Sequence, residues 1–225
     1  MAPKVKFTRG ELTAAALKVV RERGTGALTA KAVADELLIS TRPIFTCFST
    51  MDELRRDVRA AAERTFDAYI AEGLRNPVPF YGVGMQYIRF AREEPELYRL
   101  LFLEPSEGGS GAYETMLHLM EKVRPSLERI YRMNTAEAGR YFRDLWLVVH
   151  GFAALIVSGV CPYTDREIGQ TLTGFSVSVC KAIKEIPGFT DGTFDRDAVF
   201  RRLIREPSPQ SEAADSAPQD FPAKK

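Results

Sequence analysis

The spacing of apolar residues along the chain predicts helices throughout. Between Leu12 and Val20 the apolar positions recur at helical intervals and form one continuous stripe. No segment shows the sustained alternation of apolar and polar residues that is typical of a half-buried strand. The pattern therefore predicts an all-α protein.

Capping signals divide the N-terminal quarter into three short helices that lead into a fourth. Thr8 begins a capping box, and Thr29, Ser40 and Thr50 stand at the N-cap positions of the next three predicted helices. Only residues 37–40 separate the second helix from the third. Two short helices joined by such a tight turn form a helix-turn-helix.

The rest of the chain predicts a larger helical domain and a polar tail. We expect the helix-turn-helix domain at residues 1–55, the larger domain at 56–205 and a disordered tail at 206–225, where Pro, Ser, Ala and Gln leave little to bury. Pro125 lies within a predicted helix and is expected to kink or split it. From the fourth helix onward, the predicted helices span about 51–72, 80–93, 95–103, 111–131, 135–160, 165–186 and 196–205.

Charge is unevenly distributed, although the formal net charge of the 225 residues is only +1. Between Met1 and Arg56 there are ten Lys and Arg against six Asp and Glu, so the basic excess lies in the predicted helix-turn-helix domain. Such an excess is expected of a surface that faces phosphate, although a difference of this size also arises by chance.

The composition predicts a cytoplasmic protein that makes no contact with a membrane. The N-terminus lacks the apolar stretch of a signal peptide. The most apolar segment, residues 145–160, is about one turn too short for a comfortable membrane span. Three cysteines without a CxxC pair indicate reduced thiols rather than a disulfide framework.

The stretch from Leu28 to Leu54 resembles the DNA-binding signature of the TetR (tetracycline repressor) family. The match includes residues 33–34, 44–45 and 52–54. The resemblance implies a sequence-specific regulator, of the repressor type, that a small-molecule effector releases from double-stranded operator DNA. Its recognition helix would enter the major groove. The candidate DNA-binding residues are Thr29, Lys31, Ser40, Thr41, Arg42, Phe45, Thr46 and Cys47.

These candidates differ in the contacts that they can make. Arg42 alone among the expected exposed residues can contact guanine with two hydrogen bonds, which discriminates by about 1–3 kcal/mol. Thr29 and Lys31, at the start of the second helix, are placed to hold backbone phosphates. The structural alternative is a three-helix packing unit with no DNA partner.

Three positions depart from the family pattern. Leu38 stands where a turn glycine is usual, Phe45 replaces the usual tyrosine and Met51 the usual lysine. A positive φ at Leu38 would cost about 1–2 kcal/mol, so we expect a turn of different shape. Losing one phosphate contact lowers the salt slope of DNA binding by about 0.9. These departures support a second hypothesis, a helical interaction protein that keeps the fold but has lost operator binding.

In the larger domain, Trp146, His150 and Gly151 resemble the Trp-His-Gly region of one TetR subgroup. The resemblance implies an effector pocket, and a homodimer formed by the helices near 135–160 and 165–186. Core packing is the alternative role for each pocket candidate. These candidates are Tyr81, Met85, Tyr87, Phe102, Met116, Met120, Trp146 and His150.

Small residues on the helix near 165–186, among them Gly169 and Ser176, would let another helix approach closely. That helix could come from a partner subunit or from the same chain.

Catalytic motifs are not found, so an all-α enzyme ranks last among the hypotheses. The sequence has no GxSxG, phosphate-binding loop, HExxH or convincing acid–base pair. With two histidines and no carboxylate cluster at ligand spacing, no metal site is expected. No cofactor is expected either.

Overall fold

A computed structural model describes residues 7–105 and 111–205, and every regular element within these ranges is a helix. The predicted fold class is confirmed. The chain divides into two compact units, Met1–Lys181 and Ala182–Lys225. The tail expected at residues 206–225 lies outside the described residues.

Four helices and a short 3-10 turn make up the N-terminal part, close to the predicted boundaries. Helix α1 is followed by the 3-10 turn at Thr25–Ala27, and the turn between α2 and α3 is the predicted helix-turn-helix connection. The four helices are α1 (Arg9–Arg23), α2 (Ala30–Glu36), α3 (Arg42–Cys47) and α4 (Met51–Gly73).

Three of the four predicted N-caps are confirmed. Thr8 and Glu11 form a reciprocal capping box at α1, and the side chain of Thr29 accepts a backbone N–H of the first turn of α2. At α4 the side chain of Thr50 accepts the N–H of Glu53, and the Glu53 carboxylate accepts the N–H of Ser49.

Ser40 is not the cap of α3, and that prediction is wrong. Helix α3 begins at Arg42, and Thr41 occupies the N-cap without a side-chain hydrogen bond. A capping side chain needs an extended backbone, whereas Thr41 already has helical dihedral angles (φ −70°, ψ −13°). The chain therefore enters this helix with Pro43 in its first turn.

After α4 the described part of the chain continues with six α-helices. Helix α7 runs through Pro125 without being split; Pro125 and Glu121 are exposed, so the carbonyl that loses its N–H donor lies on the solvent side. The helices are α5 (Pro79–Glu93), α6 (Pro95–Tyr98), α7 (Gly111–Tyr131), α8 (Thr135–Val157), α9 (Asp165–Glu185) and α10 (Arg196–Arg205). None of the helices in the described ranges combines the length and the apolar character that crossing a membrane requires.

Helix α6 continues into one π-helical turn, Arg99–Leu103, where the sequence predicts a single regular helix. The wide turn leaves backbone carbonyls available to a side chain from α4. Arg59 donates to the carbonyls of Leu100 and Leu101 at 2.7 and 3.1 Å. A long-range contact of this kind has no signal in the local sequence pattern.

An aromatic core joins α4, α5 and the π-helical turn. The ring of Phe66 meets those of Tyr87, Phe90 and Phe102 edge to face, with centroids 5.4, 5.0 and 5.3 Å away. All four side chains are buried. Burying each such side chain contributes roughly 1.5–3 kcal/mol, so this cluster anchors the larger domain.

Two small residues of α9, Gly169 and Ser176, face the core of their own chain. A Cβ atom added at Gly169 would lie 2.6 Å from the hydroxyl oxygen of Tyr81. The hydroxyl groups of Ser176 and Tyr141 are hydrogen-bonded at 2.6 Å. Close approach at these two positions therefore serves packing within one subunit.

Candidate functional site

Helix α3 presents a mixed polar and apolar face to solvent. Arg42, Phe45 and Thr46 are exposed along it. On the opposite side Ile44 is fully buried, as is Phe48 just after the helix. Because the buried side fixes the rotation of the helix, the three exposed side chains are those with which α3 can contact another molecule.

The remaining predicted DNA-facing residues surround this face. Thr29, Lys31 and Ser40 are exposed, whereas Thr41 and Cys47 are half-buried. The thiol of Cys47 lies 3.7 Å from a backbone carbonyl that precedes α1. Six of the eight predicted positions are thus open to solvent, and two contribute to packing.

Arg9, at the start of α1, holds the end of α3 against α4. Its guanidinium donates to Asp57 at 2.6 and 3.0 Å, to Glu53 at 2.5 Å and to the carbonyl of Cys47 at 3.4 Å. The guanidinium carbon also lies 4.5 Å from the centre of the Phe48 ring. The hydrogen bonds from Arg9 lower the pKa of both carboxyl groups, so the network stays ionised at neutral pH.

Leu38 adopts the backbone conformation of a turn glycine. Its φ is +56°, and its side chain is 93% exposed. The N–H groups of Leu38 and Ile39 bond the carbonyls of Asp35 and Ala34, which is the Schellman arrangement at a helix end. The expectation of a differently shaped turn is wrong, because these two bonds hold the chain in the left-handed conformation.

A cluster of buried polar rings surrounds the predicted Trp-His-Gly region on α8. The hydroxyl oxygens of Tyr98 and Tyr87 lie 2.8 and 3.1 Å from Nδ1 of His150. Burial lowers the pKa of His150 and therefore favours the neutral ring, which accepts a hydroxyl proton at this nitrogen. Burial also raises the pKa of both tyrosines, so both hydroxyl groups stay protonated.

Trp146 stacks on His150, with ring centroids 4.8 Å apart and planes 18° from parallel. Its Nε1 is buried and, among the described residues, has no hydrogen-bond partner of acceptable geometry, but it lies close enough to the Tyr87 hydroxyl to oppose the rise in the pKa of that group. The indole therefore contributes mainly through stacking and buried area.

A cavity of about 400 Å³ lies between α5, α8 and α9, beside the end of α7. Of the eight predicted pocket residues, Tyr81 lines it. Tyr87 and Phe102 are buried in the aromatic core, where close ring contacts leave no room for a ligand. The remaining five lie elsewhere in the larger domain and are partly buried: Met85, Met116, Met120, Trp146 and His150.

Sequence reasoning missed most of this lining and the contribution of Arg9. Phe80, Val149 and Ser176 line the cavity, yet each reads as an ordinary core or small residue of its helix. Which helices leave a gap depends on how distant segments pack, and helical periodicity carries no signal for that. Arg9 stands in the first turn of α1, where the sequence pattern signals a cap and no long-range contact.

The segment from Glu94 to Glu104 connects the two predicted domains. Glu94 accepts from Arg21 of α1 at 2.8 Å, and Glu104 accepts from Thr25 at 2.6 Å. On the other side, Arg99 donates to a backbone carbonyl in the last turn of α8 at 2.6 Å. The same short segment is therefore hydrogen-bonded both to α8 and to the end of α1.

Within residues 7–105 and 111–205, no cluster of three or more His, Cys, Asp or Glu side chains is arranged so that it could hold a metal ion.

Part of the chain matches a protein-family model. Residues 80–173 match the model described as tetracyclin repressor-like, C-terminal domain. The match begins in α5 and ends in α9, so it contains the Trp-His-Gly region and most of the lining of the cavity. No curated protein matches the chain in sequence.

Solved structures share the fold at low identity. A transcriptional regulator from Rhodococcus sp. Rha1 is 16% identical, with 78% of this chain and 97% of that chain covered and a TM-score of 0.56. A member of the TetR family from Streptomyces coelicolor A3 is 21% identical, with 74% and 96% covered and a TM-score of 0.56. The multidrug binding protein EbrR, solved with imidazole, is 20% identical, with 74% and 88% covered and a TM-score of 0.52.

At these identities the structural likeness establishes the fold, and the family match covers residues 80–173. The match and the shared all-helical fold agree with the signature between Leu28 and Leu54. Residues 80–173 are therefore similar to the tetracyclin repressor-like C-terminal domain, and the chain shares the all-helical fold of these regulators.

Proposed function

We propose that this protein is a cytoplasmic, sequence-specific transcriptional regulator, and that it represses from an operator until a small-molecule effector releases it. Residues 1–55 would bind DNA, and residues 56–205 would dimerise and bind the effector. The observation that carries the proposal is the exposed face of α3, held in a fixed orientation by its buried side and by Arg9.

In this proposal each exposed residue has its own role on the duplex. Arg42 contacts a guanine in the major groove, and Phe45 packs against a thymine methyl group instead of reaching a phosphate. Lys31 and the N-terminus of α2, which Thr29 caps, hold the backbone.

A homodimer would bring two copies of α3 to one face of the DNA, about 34 Å apart. Support comes from an apolar stripe on α8. Leu147 and Leu155 are 56% and 37% exposed, one helical turn on either side of Gly151. A Cβ at Gly151, or at Gly174 of α9, would meet no atom within 4 Å. This side of both helices is open to a partner.

Release would follow from a shift in the larger domain that tilts α4 and changes the spacing of the two recognition helices. The route from α8 through Arg99 to Glu94 and α1 supports this mechanism. A coupling free energy of about 1–3 kcal/mol between effector and operator binding is enough for a useful switch.

The test is binding to the DNA that flanks the protein's own gene, measured by anisotropy across a salt series. We expect salt-dependent, sequence-selective binding that Arg42→Ala weakens at least tenfold. Arg75→Ala is the matched control, because Arg75 is an exposed arginine just beyond the far end of α4. Equal, weak binding of wild type and Arg42→Ala to any duplex would rule out operator recognition.

That negative result would favour the second candidate, a helical interaction protein with this fold. One observation supports it: Leu38 and Phe45 expose 93% and 54% of their surface beside α3, where DNA-binding residues are usually polar. Retained, selective binding to operator DNA would exclude it.

A further inference from the structure

The cavity between α5, α8 and α9 has the size of a small-molecule site. Its volume of about 400 Å³ lies at the lower end of the range of about 300–1,000 Å³ that is typical of ligand clefts. Phe80 and Val149 form its inner wall, and Thr173 and Val177 of α9 line the side that is open to solvent.

The lining of the cavity is uncharged. All ten lining residues are apolar or carry at most a hydroxyl group. Moving a charged ligand out of water into such a lining is strongly unfavourable, because no opposite charge compensates it. The cavity therefore suits a neutral molecule with a mostly apolar body.

The hydroxyl groups of the lining differ in their availability. Ser176 is hydrogen-bonded to Tyr141 at 2.6 Å, and Thr173 donates to a backbone carbonyl one turn back at 2.8 Å. The fourth hydroxyl group, that of Tyr131, interacts with the hydroxyl of Tyr141. The Tyr81 hydroxyl has no hydrogen-bond partner among the described residues and packs above Gly169. It is the group with a free donor and a free acceptor for a ligand.

We propose that this cavity binds a small, neutral, largely apolar molecule whose single hydroxyl or carbonyl group is hydrogen-bonded by Tyr81. The binding claim stands on the cavity alone; that the molecule acts as the effector rests on the proposed function. Val149 of the inner wall directly precedes His150, which is hydrogen-bonded to Tyr98 of α6. A ligand that moves α8 would thus act on the segment that contacts α1.

Binding of 1-naphthol by the full chain tests the proposal, with 1-naphthoate as the matched anion. Calorimetry or fluorescence titration is expected to give saturable binding of one 1-naphthol per chain, with 1-naphthoate at least tenfold weaker. Val177→Phe fills the open side of the cavity and should weaken the binding of 1-naphthol at least tenfold. Val160→Phe, at an exposed valine that does not line the cavity, should leave it unchanged.

A second variant isolates the hydroxyl group. Tyr81→Phe should weaken the binding of 1-naphthol three- to tenfold. It should leave the affinity for 1-methylnaphthalene unchanged, because that probe has a similar shape but no hydroxyl group. Absence of 1-naphthol binding at 1 mM, equal binding of naphthol and naphthoate, or equal loss of both probes in Tyr81→Phe overturns the proposal. Circular dichroism of each variant verifies its fold.

Operator binding measured in the same samples separates this proposal from the proposed function. Saturable 1-naphthol binding that changes in the variants as expected supports the site even if the chain binds no operator. Selective operator binding without any 1-naphthol binding supports the regulator and overturns the assigned ligand class.

Discussion

At the scale of single residues, Leu38 holds a strained backbone conformation in the turn between α2 and α3. The same Schellman arrangement ends α8, where Gly159 takes the left-handed position with φ +73°. Glycine adopts this conformation without a Cβ penalty, whereas leucine pays about 1–2 kcal/mol. Since the Leu38 side chain is almost fully exposed, it recovers little of that cost by burial.

We therefore expect Leu38→Gly to raise the free energy of unfolding by about 0.5–1 kcal/mol. This is the strain energy that is relieved, minus the larger conformational entropy that glycine loses on folding. Urea denaturation at a fixed protein concentration measures this. Leu38→Ala keeps the Cβ and should change stability by less than the glycine variant. A glycine variant no more stable than the alanine variant would show that the turn carries no strain.

His150 makes stability depend on pH in a defined direction. The folded chain lowers the pKa of this imidazole, so the unfolded chain binds the proton more strongly. The stabilisation is complete above the unfolded pKa of about 6.5, falls as the pH drops below it and levels off below the folded pKa.

Denaturation at pH 7.5, 6.5 and 5.5 should show a smaller loss of stability for His150→Asn than for wild type. Parallel curves for wild type and His150→Asn would contradict a neutral, buried imidazole.

At the scale of helices, the contact between Arg9 and the end of α3 is expected to affect DNA binding more than the stability of the fold. Arg9 is part-exposed, and the buried core of α1 to α3 does not depend on it. Its planar fork joins Asp57, Glu53 and the last carbonyl of α3, a geometry that lysine cannot reproduce. We infer that Arg9 positions the recognition helix.

Arg9→Ala should lower operator affinity several-fold while the chain still unfolds cooperatively, and Arg9→Lys should recover only part of the loss. Anisotropy titrations and thermal unfolding, run on the same samples, measure the two effects. Arg23→Ala, at the other end of α1, is the matched control. If both alanine variants lost equal affinity, a general charge effect would replace the positioning role.

The sequence predicts these helices well where local contacts decide them. Thr8 and Thr29 cap through side chains within three residues, so their signals are local and reliable. The start of α3 and the π-helical turn are set by non-local contacts, such as that of Arg59 with two carbonyls. Local periodicity cannot register such contacts, and there the prediction fails.

At the scale of the whole larger domain, the same limit explains the pocket candidates. Tyr87 and His150 combine aromatic and polar character, as ligand-binding residues do, but here they satisfy one another within the core. The cavity instead arises where α9 approaches α5 on Gly169, an interhelical spacing that depends on residues far apart in sequence. The sequence of a helix predicts which of its residues are buried better than it predicts where cavities lie between that helix and its neighbours.

The apolar stripe on α8 provides a direct test of the proposed dimer. Leu147 lies on the open side of the helix, away from the core that Leu145 and Val149 fill. A carboxylate there leaves the subunit's own packing intact but would be buried without a partner in a symmetric interface. Leu147→Glu should therefore convert a dimer into a folded monomer at micromolar concentration.

Sedimentation equilibrium measures the mass of wild type and variant, and circular dichroism verifies the fold. Leu103→Glu is the control, since Leu103 is similarly exposed on the π-helical turn and lies off the stripe. Operator affinity should fall together with dimerisation, because one recognition helix then binds one half-site alone. A wild type that sediments as a monomer, or a folded Leu147→Glu variant that stays dimeric, would place the partner on another surface.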